Sequence, residues 1–342
     1  MKTPEFWHGR GGALPRLLSP LGGLYALAGR AERAWTKAES APVPVICVGN
    51  LTAGGSGKTP IAIAIARLLT AVGRIPHFLT RGYGGCVAGP LRVDGANHAI
   101  AEVGDEALLL ARAAPTWVCQ DRRHGAQAAV EAGADCLILD DGYQDPRLRK
   151  DTALVIADGA TGFGNGRVIP AGPLRESVAG GLARADALIV VAPDRQGVAA
   201  LAARLRPDLP ILDARLEPTE DARRLSHRKV FAFCGIGIPE KFRTTLKDIG
   251  VEIAGFRAFP DHHPYTARDL AALQADALEA GDVQLVTTAK DAVRLTPQER
   301  MGIEVVDIEA VFSDAAALAR VLGVTLPSAA PEAPDRDGSG TS

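Results

Sequence analysis

Blocks of like charge, paired cysteines and long apolar runs are all missing from this chain of 342 residues. The five cysteines, Cys47, Cys86, Cys119, Cys136 and Cys234, are odd in number and far apart, with no C-x-x-C pair. That excludes a disulfide frame and a cysteine zinc site, and fits reduced thiols in a cytosolic chain. The formal net charge is -2, with Arg and Lys spread along the sequence. A nucleic-acid binder carries a basic stripe, so no nucleic-acid partner is expected. No stretch reaches the about 20 consecutive apolar residues of a spanning helix, and no internal repeat is present.

With 47% hydrophobic residues, the chain can bury one large core or two modest ones, and two domains are expected. From Val43 onward short β-branched runs alternate with helical stretches: "VPVICVGN", "IPHFLTR", "TWVCQD", "DCLILDDG", "TALVIADG" and "DALIVVAP". This rhythm predicts an α/β fold with a doubly wound, mostly parallel sheet. "GFGNGRVIPAGP" (162–173) has too much glycine and proline for a regular element and reads as a structured functional loop. From Lys229 the pattern restarts as a second, smaller α/β domain, with "EPTEDARRLSHR" (217–228) as the hinge. The expected division is an N-terminal segment (1–40), a core domain (41–220), the smaller domain with its hinge (221–325) and a disordered Pro/Gly/Ser-rich tail (326–342). In the first segment, "ALPRLLSPLGGLYALAG" (13–29) is apolar, carries Arg16 and two prolines, and is followed by Arg30, Arg33 and Lys37. It is too short and too interrupted to span a membrane, and the internal Arg argues against a signal peptide. Two readings stand: a helix lying at a membrane interface, which is favoured, and a helix packed on the domain.

"TAGGSGKT" carries the chemistry. It meets G-x-x-x-x-G-K-[ST] at Gly57, Lys58 and Thr59, with Thr52 in place of the first glycine. Thr52, Ala53, Gly54, Gly55, Ser56 and Gly57 would line phosphate oxygens with backbone amides. Lys58 would reach the β/γ phosphates, and the Thr59 hydroxyl would ligate Mg2+. A buried strand precedes the loop and a helix follows, as such a site needs. "CLILDDG" runs four apolar residues into Asp140 and Asp141, placing two acids at the C-terminal edge of a strand as metal-side ligands. The guanine-reading pattern Asn/Thr-Lys-x-Asp is absent, since Lys290 directly precedes Asp291, so ATP is the expected nucleotide. Asp105 and Glu106 open a helix, where capping is the plainer reading. Asp261, His262 and His263 lie in a loop of the second domain, from which a histidine could reach across a cleft.

In order along the chain, "VGNLTAGGSGKTP", "TRGYGG", "VGDEALLLA", "LDDGYQ", "IPAGPLRE", "FPDHHPYT" and "TTAKDAVRL" resemble the tetraacyldisaccharide 4'-kinases, or lipid A 4'-kinases, of Gram-negative bacteria. The resemblance spans roughly residues 5 to 322, and the family's own phosphate loop tolerates Thr52. It implies transfer of the ATP γ-phosphate to the 4'-hydroxyl of a tetraacylated glucosamine disaccharide 1-phosphate. The setting it implies is the cytoplasmic face of the inner membrane, and no protein partner is implied. By the same resemblance Asp105 is the general base, assisted by His262; Asp140 and Asp141 serve Mg2+; Arg175 steadies the transferring phosphoryl group and Glu176 orients Arg175. Lys290 and Asp291 are candidate nucleotide or interdomain contacts. His263 is not the family histidine, because the shared pattern Asp-His-x-x-aromatic matches Asp261, His262 and Tyr265. Two rivals remain open on residues alone: a P-loop metallochaperone or assembly ATPase, and a soluble small-molecule kinase.

Overall fold

The computed structural model describes residues 4–7, 9 and 12–326. Beyond Leu326, the expected disordered tail lies outside the described residues. The first eight strands are β1 (Val45–Gly49), β2 (Pro76–Thr80), β3 (Leu91–Arg92), β4 (Thr116–Val118), β5 (Cys136–Asp140), β6 (Thr152–Asp158), β7 (Ala187–Val191) and β8 (Ile211–Pro218). The remainder are β9 (Lys229–Cys234), β10 (Glu252–Ala258), β11 (Gln284–Thr288), β12 (Ile303–Val306) and β13 (Ile308–Phe312). Helices α1 (Ala13–Trp35), α2 (Lys58–Ala71), α3 (Ile100–Val103), α4 (Asp105–Ala111), α5 (Arg122–Glu131), α6 (Val178–Leu182) and α7 (Val198–Leu205) belong to the first part of the chain. They are followed by α8 (Glu220–Arg223), α9 (Pro239–Ile249), α10 (Ala267–Glu279), α11 (Ala289–Ala292) and α12 (Ala315–Leu322).

The larger sheet has nine strands in the order β13-β8-β7-β6-β1-β5-β2-β4-β3, antiparallel only at its two edges. Every residue of β1 is buried, which explains why "VICVG" is apolar throughout instead of alternating. Val45 and Cys47 face the layer containing Ala126 and Ala129 of α5. Ile46 and Val48 face Ile61, Ile65 and Leu69 of α2, whose spacing of four lines one helical face. From β1 the chain goes outward through β2 and β4, returns to β5 beside β1, and then continues on the other side through β6, β7 and β8. The strand order therefore reverses at β1, and ligands of such sheets bind in the crevice at the strand ends there.

The smaller sheet is β10-β9-β11-β12, all parallel. It too is covered on both faces: α9 supplies Phe242, Leu246 and Ile249 on one side, and α10 supplies Leu270 and Leu273 on the other. One expectation is corrected here. The stretch to 325 does not all belong to the smaller unit, because β13 pairs antiparallel with β8 and α12 packs on the α2 face of the large sheet. β8 would otherwise be an open edge, and the chain's return covers it.

The helix expected at the N-terminus forms over 23 residues. One side is held: Gly22 sits so close to the Val168 carbonyl that a Cβ would come within 2.7 Å of it, and Ser19 bonds Arg167. The other side exposes Leu14, Leu17, Leu21 and Leu24 at helical spacing, with Leu17 76% exposed. No helix among the described residues is long and apolar enough to cross a membrane.

Candidate active site

The phosphate loop follows β1, and its shape is held from beneath by Asn50. This fully buried side chain donates to Ser56 Oγ at 3.0 Å and the Gly54 carbonyl at 3.4 Å. Gly57 ends the loop at φ 81, a left-handed conformation that glycine adopts without strain, and starts α2 at Lys58. Thr59 is buried at the first turn of that helix, and Pro60 is tolerated there because the amide it lacks has no helical partner anyway. The Gly/Pro-rich loop is stitched alongside: Ala53 N donates to the Pro173 carbonyl at 2.7 Å and Arg175 N to the Leu51 carbonyl at 2.8 Å. This short antiparallel pairing sets Arg175 beside the phosphate loop.

β5 delivers the two acids, and they are not equivalent. Asp140 pairs in register with Val48 of β1, is 1% exposed, and neither of its carboxylate oxygens has a hydrogen-bond partner. Burial first, and Glu106 second, push its carboxyl up to about 7. Such a buried, orphaned carboxylate is the group here that fits a hard cation. Asp141, at φ 52, turns instead toward Arg175, which donates to both of its oxygens at 3.2 Å, and toward Lys58 Nζ at 3.6 Å. Burial raises its carboxyl, but the charges of Lys58 and Arg175 prevail and lower it. Buried Arg122 braces this turn, donating to the Asp141 carbonyl at 2.9 Å and to Asp145 at 2.9 Å.

Glu176 does not orient Arg175 by contact. Its carboxylate takes Arg184 at 2.9 Å through both oxygens and Arg33 of α1 at 3.5 Å. The link to Arg175 runs through Gln144, whose amide donates to Glu176 at 3.3 Å and whose carbonyl accepts from Arg175 at 3.4 Å. Salt-bridge logic points acids at arginines, so a neutral intermediary leaves no charge pattern in the sequence.

Asp105 and His262 come together across the two units: His262 Nδ1 lies 2.8 Å from Asp105 Oδ2. Arg294 joins them, with Nη2 at 2.6 Å and Nε at 3.1 Å from the same oxygen. Burial alone would raise the Asp105 carboxyl. The hydrogen bonds and charges of His262 and Arg294 outweigh it and hold the group well below the usual carboxylate range. His262 is raised by its hydrogen bond to Asp105 against the opposing effect of burial. Glu106, the next residue, meets Lys290 of the smaller unit at 3.3 Å. Asp291 is no nucleotide contact. It is fully buried inside the smaller unit, accepting from Tyr265 Oη, Gly235 N and Arg294 Nη1 at 2.9 Å each.

These shifts fix a pH dependence. The lowered Asp105 contributes stability above its ordinary 3.8 and loses it only as pH falls through the lower folded value. The raised His262 contributes fully below its ordinary 6.5 and loses it as pH rises through the folded value. The pair therefore stabilises most between about pH 4 and about pH 6.5. Melting curves of the wild type and His262→Gln should lie further apart at about pH 6 than at about pH 9; an equal or wider gap at the higher pH contradicts the pairing.

The model of a protein family described as tetraacyldisaccharide-1-P 4'-kinase matches residues 14–326. The chain belongs to that family. It is accordingly an enzyme of the kinase class. A tetraacyldisaccharide 4'-kinase of Gluconacetobacter diazotrophicus is 52% identical over 96% of this chain and 99% of its own length. Another, from Paramagnetospirillum magneticum, is 51% identical over 90% of this chain and 94% of its own. Among solved structures, the "apo" form of LpxK from Aquifex aeolicus in complex with ATP superposes with a TM-score of 0.72. The two are 26% identical, over 91% of this chain and 98% of that one. The shared fold is the P-loop α/β architecture described above.

Proposed function

We propose that this chain transfers the γ-phosphate of ATP to the 4'-hydroxyl of a tetraacylated glucosamine disaccharide 1-phosphate, a step of lipid A biosynthesis. The observation that carries the mechanism is the carboxylate of Asp105. Its Oδ2 takes three donors, while Oδ1 takes none among the described residues. Asp105 adjoins Glu106, whose charge acts on Asp140 and raises its carboxyl, which supports reading base and metal-side acid as parts of one site.

In this reading the loop amides of residues 52–57 and Lys58 hold the β- and γ-phosphates, with Arg175 on the opposite flank. Asp140, with the Thr59 hydroxyl, would hold Mg2+. Bound there, the ion supplies charge neutralisation across the two terminal phosphates. Asp141 keeps Lys58 and Arg175 aimed at one point. The acceptor oxygen bonds to the γ-phosphorus as the bond to the ADP oxygen breaks, and Oδ1 of Asp105 takes the hydroxyl proton. A carboxylate held this ionised is a weak base, which suits a loose transition state that releases its proton late. ATP turnover is expected to require both Mg2+ and the acylated disaccharide; turnover indifferent to the lipid would overturn the acceptor assignment.

The acceptor carries acyl chains and lies in a bilayer, and α1 supports a peripheral approach to it at the cytoplasmic face of the inner membrane. Its leucine face is exposed while its other side packs on the loop that bears Arg175. Inserting that face would bring the cleft to headgroup depth. Replacing Leu17 and Leu24 by Ser should weaken binding to anionic vesicles at least roughly tenfold, leaving turnover of detergent-dispersed lipid in place. Unchanged vesicle flotation contradicts the membrane role.

A further inference from the structure

Arg294 enters the scheme above only as a donor to Asp105 Oδ2, yet its guanidinium bonds on both sides of the boundary between the two units. Its side chain is 3% exposed. Nη1 donates within the smaller unit, to the Gly235 carbonyl at 2.8 Å and Asp291 Oδ1 at 2.9 Å. Nε and Nη2 donate across to Asp105 Oδ2. Asp291 is in turn gripped by Tyr265, Gly235 N and Thr288 Oγ1, so the arginine projects from a rigid base. A planar guanidinium spans two acceptors in fixed geometry, which an ammonium cannot do.

The same Gly235 carbonyl also accepts from His262 N at 3.1 Å. His262 and Arg294 are thus built on one anchor, and His262 holds a left-handed φ of 58 to reach it. Because the ionised carboxylate can only accept, His262 must carry its proton on Nδ1 to bond Oδ2, which leaves Nε2 facing Asp261 at 3.9 Å. Lys290 is the other charge acting on His262.

We propose that Arg294 is a positioning residue for the transfer reaction: it pins Oδ2 of Asp105 to the smaller unit, aligns His262 on that oxygen and leaves Oδ1 as the proton acceptor. This rests on the reading of Asp105 as the base. It also makes assembly of the base dependent on the two units being together, since the carboxylate opens α4 of the larger unit and the arginine follows α11 of the smaller one.

The test uses the full chain with ATP, Mg2+ and detergent-dispersed acylated disaccharide, comparing Arg294→Ala, Arg294→Lys, Asp105→Asn and the double variant Arg294→Ala/Asp105→Asn. Arg294→Ala should lower kcat roughly 100-fold while KM for ATP stays within about twofold. Its acid limb in the kcat–pH profile should move to higher pH, because of the two groups that keep Asp105 ionised, His262 and Arg294, one is gone. Arg294→Lys keeps a charge, so its limb should stay nearer to wild type while kcat still falls. Free guanidinium at sub-denaturing concentration should restore part of the Arg294→Ala activity and none of the Asp105→Asn activity. The double variant should be no slower than Asp105→Asn alone. Wild-type kcat and pH profile in a folded Arg294→Ala, with Asp105→Asn inactive, would reduce Arg294 to an interdomain tie and overturn the proposal. Should Arg294→Ala not fold, wild-type kcat in Arg294→Lys overturns it equally. Full activity in Asp105→Asn would instead remove the base itself, a separate failure read from a separate variant.

Discussion

Asp105→Asn is expected to lower kcat by about 100- to 10,000-fold, the span that a positioned general base contributes, with little change in KM for ATP. Asparagine is the better probe than alanine. Alanine would leave Nε and Nη2 of Arg294 without their acceptor in a site where the side chain is 3% exposed, although Asp291 would still pair Nη1, and unmet buried donors are costly. Asparagine keeps an oxygen for Arg294 and His262 but cannot take the hydroxyl proton. His262→Ala should fall less, because the histidine only orients and polarises the carboxylate. Combined with Asp105→Asn it should add almost nothing: two groups that act as one unit give losses far from additive. Additive losses would mean that Asp105 and His262 contribute separately, although their atoms lie 2.8 Å apart.

Lys58→Ala should lower kcat/KM by about 100- to 1,000-fold, the range for removing one donor aimed at developing charge. The lysine is half-buried at the start of α2 and leans on Asp141. Its removal leaves Asp141 paired with Arg175 alone, so the loop should keep its shape through Asn50 and the melting temperature should barely move. Lys58→Arg should not restore activity, since a planar fork does not replace a compact ammonium at this depth. A fully active Lys58→Ala would place the phosphates elsewhere.

The parallel core was legible because its strands are buried on both faces and therefore read as unbroken apolar runs, from "VICVG" to "ALIVV". The edges were not. β8 alternates buried Leu212 and Ala214 with exposed Asp213 and Arg215 and runs into the polar hinge that begins at Glu217, which dilutes its signal. β13 gives no local hint that it returns to a sheet begun far earlier in the chain, since pairing across that distance is decided by an open edge and not by propensity. The same division holds at the site. Residues whose chemistry is written in a local motif, Lys58, Thr59 and Asp140, could be singled out from spacing. Those that act by holding others were passed over: Asn50 under the loop, Arg122 behind the Asp141 turn, Gln144 between Glu176 and Arg175. Arg294 had one trace, its place three residues after Asp291 in "TTAKDAVRL", but nothing local says that it faces Asp105. Glu176 and Asp291 stand one step further back than an acid beside a motif suggests: Glu176 reaches Arg175 through Gln144, and Asp291 reaches Asp105 through Arg294.

The most direct test of the account is transfer from γ-labelled ATP to a detergent-dispersed tetraacyl disaccharide 1-phosphate, with the labelled position on the product determined. The account predicts label in the lipid at the 4' position, lost in Asp105→Asn and in Lys58→Ala while both variants stay folded. Label released only as inorganic phosphate, at a rate that the lipid does not change, would contradict it.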